Sequence, residues 1–122
     1  MADKIRYSDK ELEEFDKLLD EKIDKAKESL RYYMAQIKDL ADADETKLKS
    51  IGDATGNVES ERLQSLAARQ SKLIKHLDNS KIRIKNKVYG ICRETGDLIS
   101  KERLKAVPHA TLSIKAKQKQ IR

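Results

Sequence analysis

A mainly α-helical fold, one long antiparallel coiled-coil hairpin with a small base and a final helix, is predicted for this 122-residue chain by three observations. Charged residues make up 39% of it, aromatic residues only 4%, and there is no Trp, a composition closer to long solvated helices than to a packed globule. Two stretches repeat apolar residues at alternating steps of three and four, which is the period of a coiled-coil seam. Between them lies ADADETKLKSIGDATGNVES, a polar connection with Gly52 and Gly56, where the chain reverses.

The first arm is expected over residues 9–40. Ser8-Asp9-Lys10-Glu11 has the form of a capping box, with the serine oxygen accepting from a backbone N–H three residues on and the glutamate reaching back. Leu12, Phe15, Leu19, Ile23, Ala26, Leu30, Tyr33, Ile37 and Leu40 form its seam. The returning arm, residues 58–87, carries Leu63, Leu66, Gln70, Leu73, Leu77, Ser80 and Ile84 in the same rhythm, broken only by Gln70 and Ser80. Two narrow stripes of matched length bury each other within one chain more readily than in a parallel dimer, so a monomer is expected. Residues 1–88 then form the hairpin, with an acidic tip over 41–57, and residues 89–122 a second domain.

That second domain reads as a small metal-binding finger with most of its ligands removed. Tyr89-Gly90 and Gly96-Asp97 mark two turns, and the residues between them suit a short hairpin. Ser100 is placed to cap a short helix over 101–107, which Pro108 ends because a proline disfavours helical geometry in the residue before it. A last basic helix is expected over 110–122.

The net charge of +6 is unevenly distributed. Residues 1–40 hold 9 basic and 11 acidic side chains, residues 41–61 hold 2 and 6, and residues 62–122 hold 16 and 4. An acidic middle and a half carrying +12 present opposite fields to a partner. One cysteine excludes an internal disulfide, the opening residues lack the apolar stretch of a secretory signal, and no apolar run approaches the ~20 residues that span a bilayer. A cytoplasmic protein without a membrane segment is expected. The sequence also holds no Gly-rich phosphate loop, no metal cluster and no triad, so an enzyme is not expected.

The order Lys72-Leu73-Ile74-Lys75, Tyr89-Gly90-Ile91-Cys92, Gly96, Ile99, Arg103-Leu104, Ala106 and Pro108, after a helical hairpin, resembles the DksA/TraR family of bacterial transcription factors. It looks especially like the short members of that family from Bacteroidetes-type bacteria, whose finger is also degenerate. The resemblance implies a zinc-finger-like base, with the four zinc-ligand positions falling on Cys92, Thr95, Ser113 and Ala116. Only Cys92 is a usual zinc ligand, and neither His76 nor His109 falls at a ligand position, so no metal and no other cofactor is expected. Cys92 is then read as a small buried hydrophobe.

The resemblance further implies binding to RNA polymerase, with the hairpin entering the secondary channel and no reading of DNA sequence. The DxxDxA motif of the best-known members is absent here, and its place is taken by Gly52-Asp53-Ala54. Asp53 and Ala54 are the expected tip contacts to polymerase, with Asp44, Glu45 and Glu59 as further candidates. The positions equivalent to the family's ppGpp contacts are His76, Val107 and Lys117, of which only Lys117 keeps a firm positive charge, so ppGpp sensing is not expected. The alternative reading of the basic half is a helical nucleic-acid- or ribosome-associated protein held by phosphate electrostatics.

Overall fold

The computed structural model describes residues 5–47 and 54–121. Four helices follow one another: α1 over Asp9–Lys47, α2 over Ala54–Lys85, α3 over Lys101–Ala106 and α4 over Ile114–Ile121. The mainly helical hairpin class holds. Both arms run further than expected, α1 to Lys47 and α2 from Ala54. Ala41, Ala43 and Glu45 are strong helix formers with no Gly or Pro among them, and Gly56 sits in the first turn of α2, where it interrupts little. Of the expected connection over 41–57, residues 48–53 lie outside the described residues.

The capping box forms at the start of α1. The Ser8 N–H donates to Glu11 Oε1 at 3.0 Å, and the Glu11 N–H donates to Ser8 Oγ at 3.1 Å. α2 ends two residues before its expected limit, at Lys85, in a left-handed turn at Lys87 with φ of 63°. Val88 N–H donates to Arg83 C=O at 2.9 Å and Lys87 N–H to Ile84 C=O at 3.0 Å, the paired bonds of a Schellman cap.

Two compact units can be distinguished. One comprises residues 1–23 with 76–122, and the other Asp24–Lys75. In the second unit, two antiparallel helical stretches bury Ala26, Leu63 and Ala67, with Leu30, Tyr33, Ile37, Leu66 and Leu73 half-buried. The seam residues read from the sequence are the ones covered, and Ala67 joins them. Gln70 lies half-buried in that seam.

In the first unit the opening turns of α1 and the closing turns of α2 pack with everything after them. Lys87 Nζ lies 2.8 Å from Asp9 Oδ1, and Lys81 bridges Asp16 at 3.7 Å and Asp20, an antiparallel register. Leu12, Phe15, Leu19, Leu77, Tyr89, Ile99 and Leu104 are all buried within this unit, and Phe15 meets Tyr89 directly. Buried Ser80 satisfies itself by donating to His76 C=O at 3.1 Å, which is why a polar residue stands in the seam.

Tyr7 is a core residue that the heptad pattern does not reach. Its ring meets Phe15 edge-on at 5.4 Å, and Phe15 in turn lies 5.2 Å from Tyr89. Its hydroxyl donates to Ile99 C=O. Its position just before the capping serine is that of a hydrophobic staple, a signal available in the sequence.

Candidate functional site

The finger begins where the chain leaves the Schellman cap. Tyr89 is buried and donates to Pro108 C=O at 2.7 Å, and burial, reinforced by Tyr7, pushes its phenol far up, so it stays a neutral donor. Gly90 follows at φ 80°, and a Cβ there would stand 2.6 Å from the Tyr7 ring. The expected hairpin is reduced to one antiparallel bridge, Ile91 with Leu98, and no longer strand forms among the described residues. Cys92 N–H donates to Asp97 C=O at 2.7 Å and Gly96 N–H to Cys92 C=O at 2.8 Å, closing a tight knuckle. Asp97 N–H donates to Thr95 Oγ1 at 3.2 Å.

Ser100 caps α3 as expected, accepting from the Arg103 N–H at 3.2 Å. The last helix starts later than expected, at Ile114 rather than 110, because Ser113 caps it: the Ala116 N–H donates to Ser113 Oγ at 3.2 Å. Residues 111–113 instead lie outside any helix and bond to the knuckle and to α3. Arg93 N–H donates to Thr111 C=O at 2.9 Å, Arg93 Nε donates to Thr111 Oγ1 at 3.2 Å, and Arg103 Nε donates to Leu112 C=O at 2.9 Å. Finally the Ser113 N–H donates to Cys92 Sγ at 3.3 Å, joining the two lobes at the sulfur.

Hydrogen bonds tie Cys92 to Thr95 and Ser113, and Ser113 to Ala116, the four positions read as ligand equivalents. Their donors do not suit zinc. Cys92 offers one sulfur, the Thr95 and Ser113 oxygens are each accepting a backbone N–H, and Ala116 offers a methyl group, buried at 1% exposure. A structural zinc needs four N, S or carboxylate donors, so these residues do not fit it. No group of three or more His, Cys, Asp or Glu side chains able to hold a metal occurs among the described residues.

The sulfur stands in a donor-rich shell. Burial pushes the Cys92 thiol up, but hydrogen bonds from the Thr95 side chain and from the backbone at Ser113, Thr95 and Glu94 outweigh it and bring it down to about 6. A thiol held below its unfolded value adds stability above the unfolded pKa and loses it as pH falls through the folded one. The melting temperature should therefore rise with pH from about 6 toward the ordinary thiol value of 9.0, and Cys92→Ala should flatten that slope. Parallel curves for the two proteins would show that the sulfur stays protonated.

The tip candidates are placed less fully. Asp44 and Glu45 fall in the last turns of α1 and Ala54 opens α2, but their side chains, and Asp53 altogether, lie outside the described residues. Glu59 is described, and Arg62 engages it at 2.7 Å, so its charge is matched on its own helix. Of the three positions compared with ppGpp contacts, His76 and Lys117 are exposed and Val107 is half-buried. His76 stacks on His109, ring centroids 5.7 Å apart and planes 15° apart, a pairing that sequence spacing does not reveal. The arginines that lock the finger carry no motif signal: the Arg83 and Arg103 side chains donate to loop carbonyls, and that of Arg93 donates to the Thr111 hydroxyl.

A helical hairpin joined to a two-lobed, four-position finger defines the class: a coiled-coil protein with a degenerate C4-type zinc finger. The finger segment is similar to that of the DksA/TraR family. The model of the prokaryotic dksA/traR C4-type zinc finger matches residues 87–122. Two relatives, each named RNA polymerase-binding transcription factor DksA and coming from Caulobacter vibrioides strains NA1000 / CB15N and ATCC 19089 / CIP 103742 / CB 15, are 43% identical over 51 residues. That stretch is 42% of this chain and spans only 36% of the relatives' length. Transcription factor DksA2 from Pseudomonas aeruginosa shares the fold with a TM-score of 0.79 and 27% identity, covering 90% of this chain and 82% of that one.

Proposed function

We propose that this protein binds RNA polymerase and regulates transcription initiation by placing its hairpin in the secondary channel. The observation that carries this reading is the fold shared with DksA2 over 90% of the chain, hairpin and finger together. Local identity of 43% to proteins named for polymerase binding supports it. Asp53, Ala54, Asp44 and Glu45 are the proposed tip contacts; Glu59, already matched by Arg62, contributes less. The basic half docks through charge, and neither zinc, ppGpp nor a DNA sequence is part of the proposal. The protein acts as a monomer in the cytoplasm, without catalysis of its own. No helix among the described residues is long and apolar enough to cross a membrane.

The nucleic-acid alternative loses its best anchor in this fold. Tyr89 is the one aromatic residue after position 62, and it is buried at 1% exposure, so it offers no face for base stacking. Purified protein should co-migrate with core polymerase at low salt, and Asp53→Lys should alter transcript yield while leaving co-migration in place. Absence of any association with polymerase at low salt would overturn the proposal.

A further inference from the structure

The chain contains two histidines, and the fold puts them against each other. His76 comes from α2 and is exposed, whereas His109 belongs to the turn after Pro108 and is half-buried. His109 Nδ1 is the one buried side-chain nitrogen or oxygen without a hydrogen-bond partner among the described residues. The segment around it is otherwise held by few bonds: Tyr89 Oη donates to Pro108 C=O, and Ala110 N–H donates to Val107 C=O at 3.0 Å.

We propose that the His76–His109 stack is a pH-sensitive clasp, holding residues 108–110 against α2 while His109 is neutral and releasing them when it is protonated. A neutral imidazole presents a ring face to its neighbour and tolerates an unpartnered Nδ1 lone pair. An imidazolium buries a second N–H with no acceptor and sets its charge beside the other ring. Burial, and behind it the charge of His76, hold His109 below the usual imidazole range. The group that faces it from α2 is His76; on the finger side its neighbour Pro108 is bonded by the neutral phenol of Tyr89. No carboxylate is among the groups acting on it. Charging His109 is therefore costlier in the closed stack than in the opened turn.

The sign follows from linkage: below the unfolded imidazole value of 6.5 the unfolded chain takes up a proton that folded His109 refuses, so the closed turn loses stability as pH falls. With two imidazoles, side-chain nitrogen NMR of the full chain resolves each directly. His109 should titrate below 6.5, and the Ala110 amide signal should move with the same midpoint while its protection from hydrogen exchange is lost. His76→Gln should shift the His109 midpoint upward, because it removes the second charge, and His109→Gln should abolish the pH response at Ala110. A His109 midpoint at or above 6.5 in the parent protein would overturn the clasp. An Ala110 amide that stays protected through the His109 titration would do the same. Should His76→Gln fail to fold, the parent titration and the Ala110 exchange decide alone.

Discussion

Replacing Gly90 with alanine should destabilise the protein by about 3 kcal/mol, combining the cost of a side chain in the left-handed region with that of overpacking a finished core. The backbone there has φ 80°, and the added Cβ would lie 2.6 Å from two atoms of the Tyr7 ring and 3.3 Å from Leu104. Tyr7 cannot retreat cheaply, because its ring is packed edge-on against Phe15 and its hydroxyl is bonded to Ile99. Gly96 supplies the control. It has φ 77° and nothing within 4 Å of a Cβ, so Gly96→Ala should lose the conformational part alone, about 1 kcal/mol. Chemical denaturation of both variants separates the two contributions, and equal losses would show that the Tyr7 ring is not a fixed wall.

The second large effect concerns the metal that the family's finger would hold. Thr95→Cys, Ser113→Cys and Ala116→Cys combined should yield a protein that binds about one zinc per chain and is less stable than its parent once the metal is chelated. Zinc should raise its melting temperature well above the parent's, since metal binding to a structural site is folding free energy, of the order of 10 kcal/mol in small zinc domains. The parent should purify without zinc. The ground for expecting the variant to succeed is that Thr95 and Ser113 already bond to the Cys92 sulfur and that Ser113 caps the helix at Ala116. A triple-cysteine protein that takes up no zinc would mean the positions have drifted from tetrahedral spacing. A parent carrying stoichiometric zinc would overturn the account of Cys92 given above.

What sequence reasoning could reach here depends on whether a residue acts through periodicity or through a partner far along the chain. The capping box and the alternate three-and-four seam are local signals, and Leu12, Phe15, Leu19, Ile23, Leu63 and Leu77 are buried as they require. The limits of the arms were less legible, because Gly56 reads as a breaker yet costs little in a first helical turn. The start of α4 at Ile114 is hidden from the sequence for a different reason. Thr111 and Leu112 give up helical bonding to accept from Arg93 and Arg103, and a carbonyl acceptor leaves no trace in composition. The four finger positions were legible only through the resemblance to a family pattern. The donor shell around Cys92 is mostly backbone, and so is invisible in side-chain spacing. His76 and His109, in unrelated sequence contexts, could be paired only by the fold.

The bond from Tyr7 to Ile99 joins residues 92 positions apart. Its consequence is one of timing. As a ribosome releases this chain, Tyr7 and, on α1, Leu12 and Phe15 emerge well before Tyr89, Ile99 and Leu104 and stay uncovered until those residues follow. The stretch over Asp24–Lys75 needs no later residue and can pair as soon as its second half emerges. The finger core, being dominated by distant contacts, is then the slow, last-formed part, and its formation waits on loop closure more than on helix propagation. An apolar face left waiting in this way is where a chaperone would first take hold of the nascent protein.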